Sequence, residues 1–197
     1  MRSKHSAVVV TVGVMGSAVL FAGPAIAARS DPSAGSVGDP RLSGPGIDIS
    51  VTIPTGWRQL PDQSHPQLPQ MVYPDTCSAG VQCASALASV LSTSATSAQT
   101  AAEAAEQAVT GQPGIQGATI TSQGPTQVAG RNGYYVRFIY SQSNAKLQAE
   151  TVAVETGPAF SGVIPTSLVF VTVSDLAAAP PASVIDQIVG SAQLTAR

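Results

Sequence analysis

Four runs rich in β-branched and aromatic residues crowd the second half of the chain: Ala118–Gln123, Arg131–Ser141, Leu147–Glu155 and Ser167–Val173. Gly, Asn, Ser or Pro separates each from the next, and these are the residues that turn a chain. The links are hairpin-like and no regular βαβ alternation exists, so the strands are expected to pair antiparallel. Leu168 and Phe170 alternate with Val169, Val171 and Val173. Apolar groups on both faces predict a central strand. Upstream, Ile47–Ile53 alternates apolar and polar residues, the pattern of a strand with one buried face, and Pro54-Thr55-Gly56 ends it just before Trp57. Gln70–Tyr73 and the Ala/Ser-rich Val81–Thr93 add further strand-like runs. We assign Trp57 to the core.

Two helices complete the pattern. Ala101, Ala104, Ala105, Ala108 and Val109 recur at helical spacing, and Thr100-x-x-Glu103 offers a capping box, so the spacing predicts a helix over Ser97–Val109. Glu103 and Glu106 are placed on the solvent side of this alanine helix. Pro180 and Pro181 open a second helix, Gly190 closes it, and Val184, Ile185, Ile188 and Val189 form its apolar stripe. The fold class is α+β, an antiparallel β-sheet flanked by helices.

The amino-terminal segment says where the chain goes. Arg2 and Lys4 form a basic start, Ala7–Ala22 is uncharged and mostly apolar, and Ala25-Ile26-Ala27 matches the A-x-A cleavage pattern. As a helix, Ala7–Ala27 would span about 30 Å, enough for a bilayer anchor. Gly13, Gly16, Ser17 and Pro24 weaken that reading, and no basic stop-transfer cluster follows. Residues 1–27 are therefore read as a signal peptide, cut between Ala27 and Ala28. No cysteine follows a small-residue box there, so lipid attachment is not expected and the mature protein is released. Residues 28–46, dominated by Ser, Gly, Pro and Asp, read as a flexible linker. Residues 47–197 form a single domain, large enough for one well-buried core.

Only two cysteines, Cys77 and Cys83, are present. In an oxidising compartment they are expected to form a structural disulfide; a redox pair would more usually be C-x-x-C. Charged side chains are 10% of the chain and the net charge is −2, so no basic patch exists to bind nucleic acid. Metal binding and catalysis lack their usual residues. His65 is the one histidine beyond the signal segment, and no nucleophile elbow accompanies it. Asp62, Asp75, Glu103, Glu106, Glu150 and Glu155 are scattered, and no two pair as acid and base. Gly44-Pro45-Gly46 lacks the third glycine and following helix of a phosphate loop. No catalytic residue, metal site or cofactor is assigned. Core packing explains most of the aromatic residues. The remaining candidate is a patch of Tyr134, Tyr135 and Arg137, placed outward while Val136 and Phe138 fill the core. Such a patch suits an amphiphile or a protein partner, and its removal would leave stability unchanged.

The run IDISVTIPTGWRQLPD, the motif QVAGRNGYYVRFIY, two long strands and a terminal helix ending at S-A-Q-L occur in an order that resembles the LpqN-type lipoproteins and secreted antigens of mycobacteria and related actinobacteria. The resemblance covers Ile47–Thr195 and implies a PsbP-like α/β sandwich. The lipid-acceptor cysteine of the lipoprotein members is missing here. It supplies no catalytic residues, and implies an envelope-associated role in binding rather than catalysis. The expected function is a non-enzymatic, secreted or cell-envelope binding module for a lipid, a glycolipid or an envelope protein. The alternatives are an exported structural, antigen-like protein and a hydrolase with an unrecognised site.

Overall fold

In the computed structural model, residues 39–61, 68–77 and 83–195 are described. They form ten strands and two helices: β1 Arg41–Leu42, β2 Ile49–Thr52, β3 Arg58–Gln59, β4 Gln70–Tyr73, β5 Ala86–Ala95, α1 Ala98–Thr110, β6 Ile115–Val128, β7 Arg131–Gln142, β8 Ala145–Glu155, β9 Ile164–Ser174, α2 Ser183–Gly190 and β10 Gln193–Leu194. Seven of the strands make one antiparallel sheet in the order β3-β4-β5-β9-β8-β7-β6. The fold is thus α+β, with an antiparallel sheet flanked by helices.

Strand β9 lies at the middle of that sheet, and its residues from Thr166 to Ser174 are all buried. This is the outcome its two apolar faces predict. Tight turns set the register of β6, β7 and β8. Ala129 and Gly130 join β6 to β7, and Ser143 and Asn144 join β7 to β8, all four with positive φ. Two consecutive left-handed residues are what a type I′ hairpin turn needs, and its twist matches that of the strands.

One face of the sheet carries Val136, Phe138 and Tyr140 of β7, with Phe170 of β9 beside them. The Phe138 ring centroid lies 5.8 Å from that of Tyr140 and 6.5 Å from that of Phe170. Helix α1 covers this face. Its Ala101 and Ala102 are fully buried, and the Thr151 hydroxyl on β8 donates to the Ala102 carbonyl at 3.3 Å. Alanine at these positions lets the helix backbone approach the strands closely. On the opposite face α2 rests on β8 and β9 and touches β2. Its Val184, Ile185, Ile188 and Val189 are all buried, each worth about 1.5–3 kcal/mol of transfer from water.

Three expectations change. The buried side of α1 is Ala98, Ala101, Ala102, Glu106 and Val109, so the helix is rotated from the expected face, and Glu106 points inward. An alanine-rich helix has too little contrast between its sides for periodicity to choose one. Its cap also lies one turn earlier: the Ser97 hydroxyl accepts from the Thr100 N–H at 3.1 Å, whereas Glu103 accepts from Gln99. Finally, the linker read over residues 28–46 stops short of Gly46. Residues 28–38 lie outside the described ones, as does the signal segment, but Arg41–Leu42 pair with Val51–Thr52 and Leu42 is fully buried. The Arg41 guanidinium secures this strand. It donates to the Ser50 hydroxyl at 2.9 Å, the Thr52 hydroxyl at 3.1 Å and the Ser191 carbonyl at 2.7 Å. Composition marked the segment as having little to bury; one leucine and one arginine suffice to dock it.

Trp57 is buried at 6% exposure, its ring centroid 6.0 Å from that of Tyr73. Gly56 before it has φ +80°, and a Cβ there would sit 3.1 Å from Cε2 of Tyr73. Only glycine turns the chain at that point without pushing on the ring.

Candidate functional site

Side chains alternate across β7, so its neighbouring tyrosines cannot share a face. Tyr134 lies on the α1 side with Val136 and Phe138. Tyr135 and Arg137 lie on the α2 side. The expected patch of Tyr134, Tyr135 and Arg137 is therefore split by the sheet. Tyr134 sits near Glu103 of α1, and its hydroxyl is held above its ordinary pKa by partial desolvation, then by the Glu103 charge and Tyr135.

Tyr135 lies across the glycine opposite it in the ladder. It pairs with Gly124 on β6, and a Cβ at Gly124 would meet the ring edge at 3.5 Å. An aromatic side chain thus shields a backbone that glycine leaves bare. The Arg137 guanidinium carbon lies 5.9 Å from the centroid of the same ring, within range of a cation–π contact.

Arg137 is not a free rim charge. Its Nε donates to Oε2 of Glu150 at 2.6 Å, across the β7–β8 ladder where the two residues are register partners. Its Nη2 donates to Oδ1 of Asp186 on α2. The Glu150 side chain is only 2% exposed, that of Asp186 59%. Burial disfavours the Arg137 charge, but the Glu150 carboxylate and then Asp186 outweigh it and hold its pKa above the ordinary value. One guanidinium thus joins two neighbouring strands to the helix that packs on them. No sequence signal pairs Arg137 with Asp186, since 49 residues separate them and the contact exists only once α2 docks.

The other candidates are dispersed. Cys77 and Cys83 are joined in a disulfide with a Cα–Cα distance of 5.5 Å. Arg58 braces the approach to that bond, donating to the carbonyl of Asp75 at 3.0 Å and to that of Cys77. His65 and Asp62 lie outside the described residues, as do Ala27 and Ala28. Among the described residues no group of three or more His, Cys, Asp or Glu side chains is placed to hold a metal ion. Nor is any helix there long and apolar enough to cross a membrane. An open depression of about 350 Å³ is lined by Pro125, Thr126, Gln127, Asn132 and Gly133 on the β6–β7 hairpin. Its lining carries no aromatic ring and no charge.

No family model matches the sequence, and no curated protein matches it. Solved structures do resemble the fold. LpqN of Mycobacterium tuberculosis, described as involved in cell envelope biogenesis, aligns at 13% identity over 75% of this chain and 83% of its own, with a TM-score of 0.48. Cyanobacterial PsbP from Synechocystis sp. PCC 6803 aligns at 15% identity over 82% and 97%, with a TM-score of 0.47. The Ran-binding protein Mog1p of Saccharomyces cerevisiae aligns at 9% identity over 80% and 95%, with a TM-score of 0.51. These likenesses are of fold. Membership of the LpqN-type family is not shown.

Proposed function

We propose that this chain is a non-catalytic binding module exported to the cell envelope, whose ligand is an amphiphile such as a glycolipid, or an envelope protein. The observation that carries the reading is the use made of its charged groups. Arg137, Glu150 and Asp186 form a tie between sheet and helix, and Arg41 fastens β1 and the end of α2 to β2. Groups engaged in this way stabilise a scaffold rather than handle protons for a reaction. The basic start, apolar run and A-x-A pattern support export, and the disulfide is at home in an oxidising compartment. A domain with so few charges has little to hold a polar anion, which favours an amphiphile.

Native mass spectrometry of the protein purified from its own host tests this reading. An added mass in the lipid range, removed by solvent extraction, is expected. A bare mass from every preparation, with no envelope protein retained, would favour the second reading, an exported structural or antigen-like protein. The open depression on the β6–β7 hairpin, which has no aromatic lining, is the feature that favours that alternative.

A further inference from the structure

The β8–β9 connection ends in a tip that nothing in the described chain covers. Phe160 is 83% exposed and Val163 42%, and every residue from Pro158 to Val163 is exposed. The tip is nevertheless built rather than loose. Phe160 N–H donates to the Val163 carbonyl at 2.8 Å and Val163 N–H returns the bond at 3.0 Å. Ser161 and Gly162 between them have φ +51° and +76°, the left-handed pair of a tight hairpin turn. Behind the tip, Thr156 N–H donates to the Pro165 carbonyl at 2.8 Å. A large ring held outside the core by a closed turn is presented, since the same turn would form with a polar residue at position 160.

We propose that this tip inserts into the surface of a neutral, zwitterionic lipid layer, with Phe160 as its wedge. Three observations favour that occupant. No charged residue occurs from Thr156 to Ser174, so the tip carries no ionised group into an apolar medium. The backbone meets part of the same demand, since the Phe160 and Val163 N–H groups bond across the turn and Pro158 and Pro165 carry none, and a shallow insertion leaves the Ser161–Gly162 apex beside the polar headgroups. The flanks are balanced in charge. Glu155 ends β8, and by register Arg131 of the neighbouring hairpin lies at the same end of the sheet. That balance gives anionic lipid no advantage. A convex tip also needs no matching pocket, because a fluid layer closes around it. The tip lies apart from the Tyr135–Arg137 face, and its role does not depend on a bound amphiphile there.

The test uses the full chain carrying Phe160→Trp, mixed with phosphatidylcholine vesicles. The parent chain, whose single tryptophan is the buried Trp57, supplies the background spectrum. Because the difference from the parent spectrum reports on position 160, binding through the amino-terminal apolar segment is not mistaken for insertion of the tip. A blue shift at position 160, quenched by bromine-labelled acyl chains and unchanged by high salt, is expected. Adding Val163→Asp should weaken the titration about tenfold or more, since it replaces an exposed methyl pair that would enter the lipid by a charge. Vesicle binding with position 160 still in water would overturn the proposal. So would a shift confined to anionic vesicles, or a lipid-free shift that grows with protein concentration and marks a second copy as the occupant.

Discussion

Replacing Arg137 with methionine leaves the Glu150 carboxylate buried at 2% exposure without the guanidinium that bonds it at 2.6 Å. The side chain keeps a similar apolar stem, so the change isolates the charge. Breaking one partner out of a buried pair costs about 3–5 kcal/mol, chiefly because the remaining charge has lost both water and its counter-ion. For a domain of about 150 residues each kcal/mol lowers the melting temperature by about 2–4 °C, so the variant should melt about 6–20 °C lower. Adding Glu150→Gln removes the stranded charge, and the double variant should recover about 1–3 kcal/mol. Asp186→Asn should cost no more than about 1 kcal/mol, since that end of the tie is largely in water. Urea unfolding of the parent, the single variants and the double variant reads all four values. An Arg137→Met loss within about 0.5 kcal/mol of zero, additive with Glu150→Gln, would refute the reasoning. It would restore Arg137 as a surface group available to a partner.

Burial pushes the Tyr140 hydroxyl up to about 12, with a weak 3.4 Å contact to the Thr172 hydroxyl acting against the shift. Below pH 10 the group is protonated in folded and unfolded chains alike. As pH rises from 10 to about 12 only the unfolded chain ionises, and about 2–3 kcal/mol of stability should be lost there. Denaturant titrations across that range should show the loss, and Tyr140→Phe should abolish it. Trp57→Ala should cost about 3–5 kcal/mol, because the ring fills a buried site against Tyr73; an unchanged unfolding midpoint would mark the indole as dispensable. Replacing Cys77 and Cys83 with serine should lower stability by about 2 kcal/mol without abolishing the fold. Thiol labelling without reductant should find neither sulfur free in the parent.

The sheet was legible because its signals are local. Two-residue turns at Ala129-Gly130 and Ser143-Asn144 announce themselves between runs of period two, and β7 and β8 fall close to where those turns place them. The α2 stripe was equally plain, since its Val and Ile side chains contrast sharply with their neighbours. Helix α1 was found but turned to the wrong side, because alanine is nearly neutral between core and water and Glu106 could be placed only by packing. Short strands such as Arg41–Leu42 and Arg58–Gln59 carry no period at all, and exist through the longer strands they pair with. The candidate site was least legible. Alternation separates Tyr134 from Tyr135 and Arg137, but the direction of each set follows from which helix lands on which face. The Arg137–Asp186 tie joins a strand to a helix docked across it.

Export is the premise on which the disulfide's setting and the envelope role both depend, and the amino terminus of the protein recovered from its own host tests it most directly. Amino-terminal sequencing of the extracytoplasmic fraction should begin at Ala28 or within a residue or two of it. A chain that retains the apolar run Ala7–Ala22 and sediments with the membranes would contradict cleavage and release.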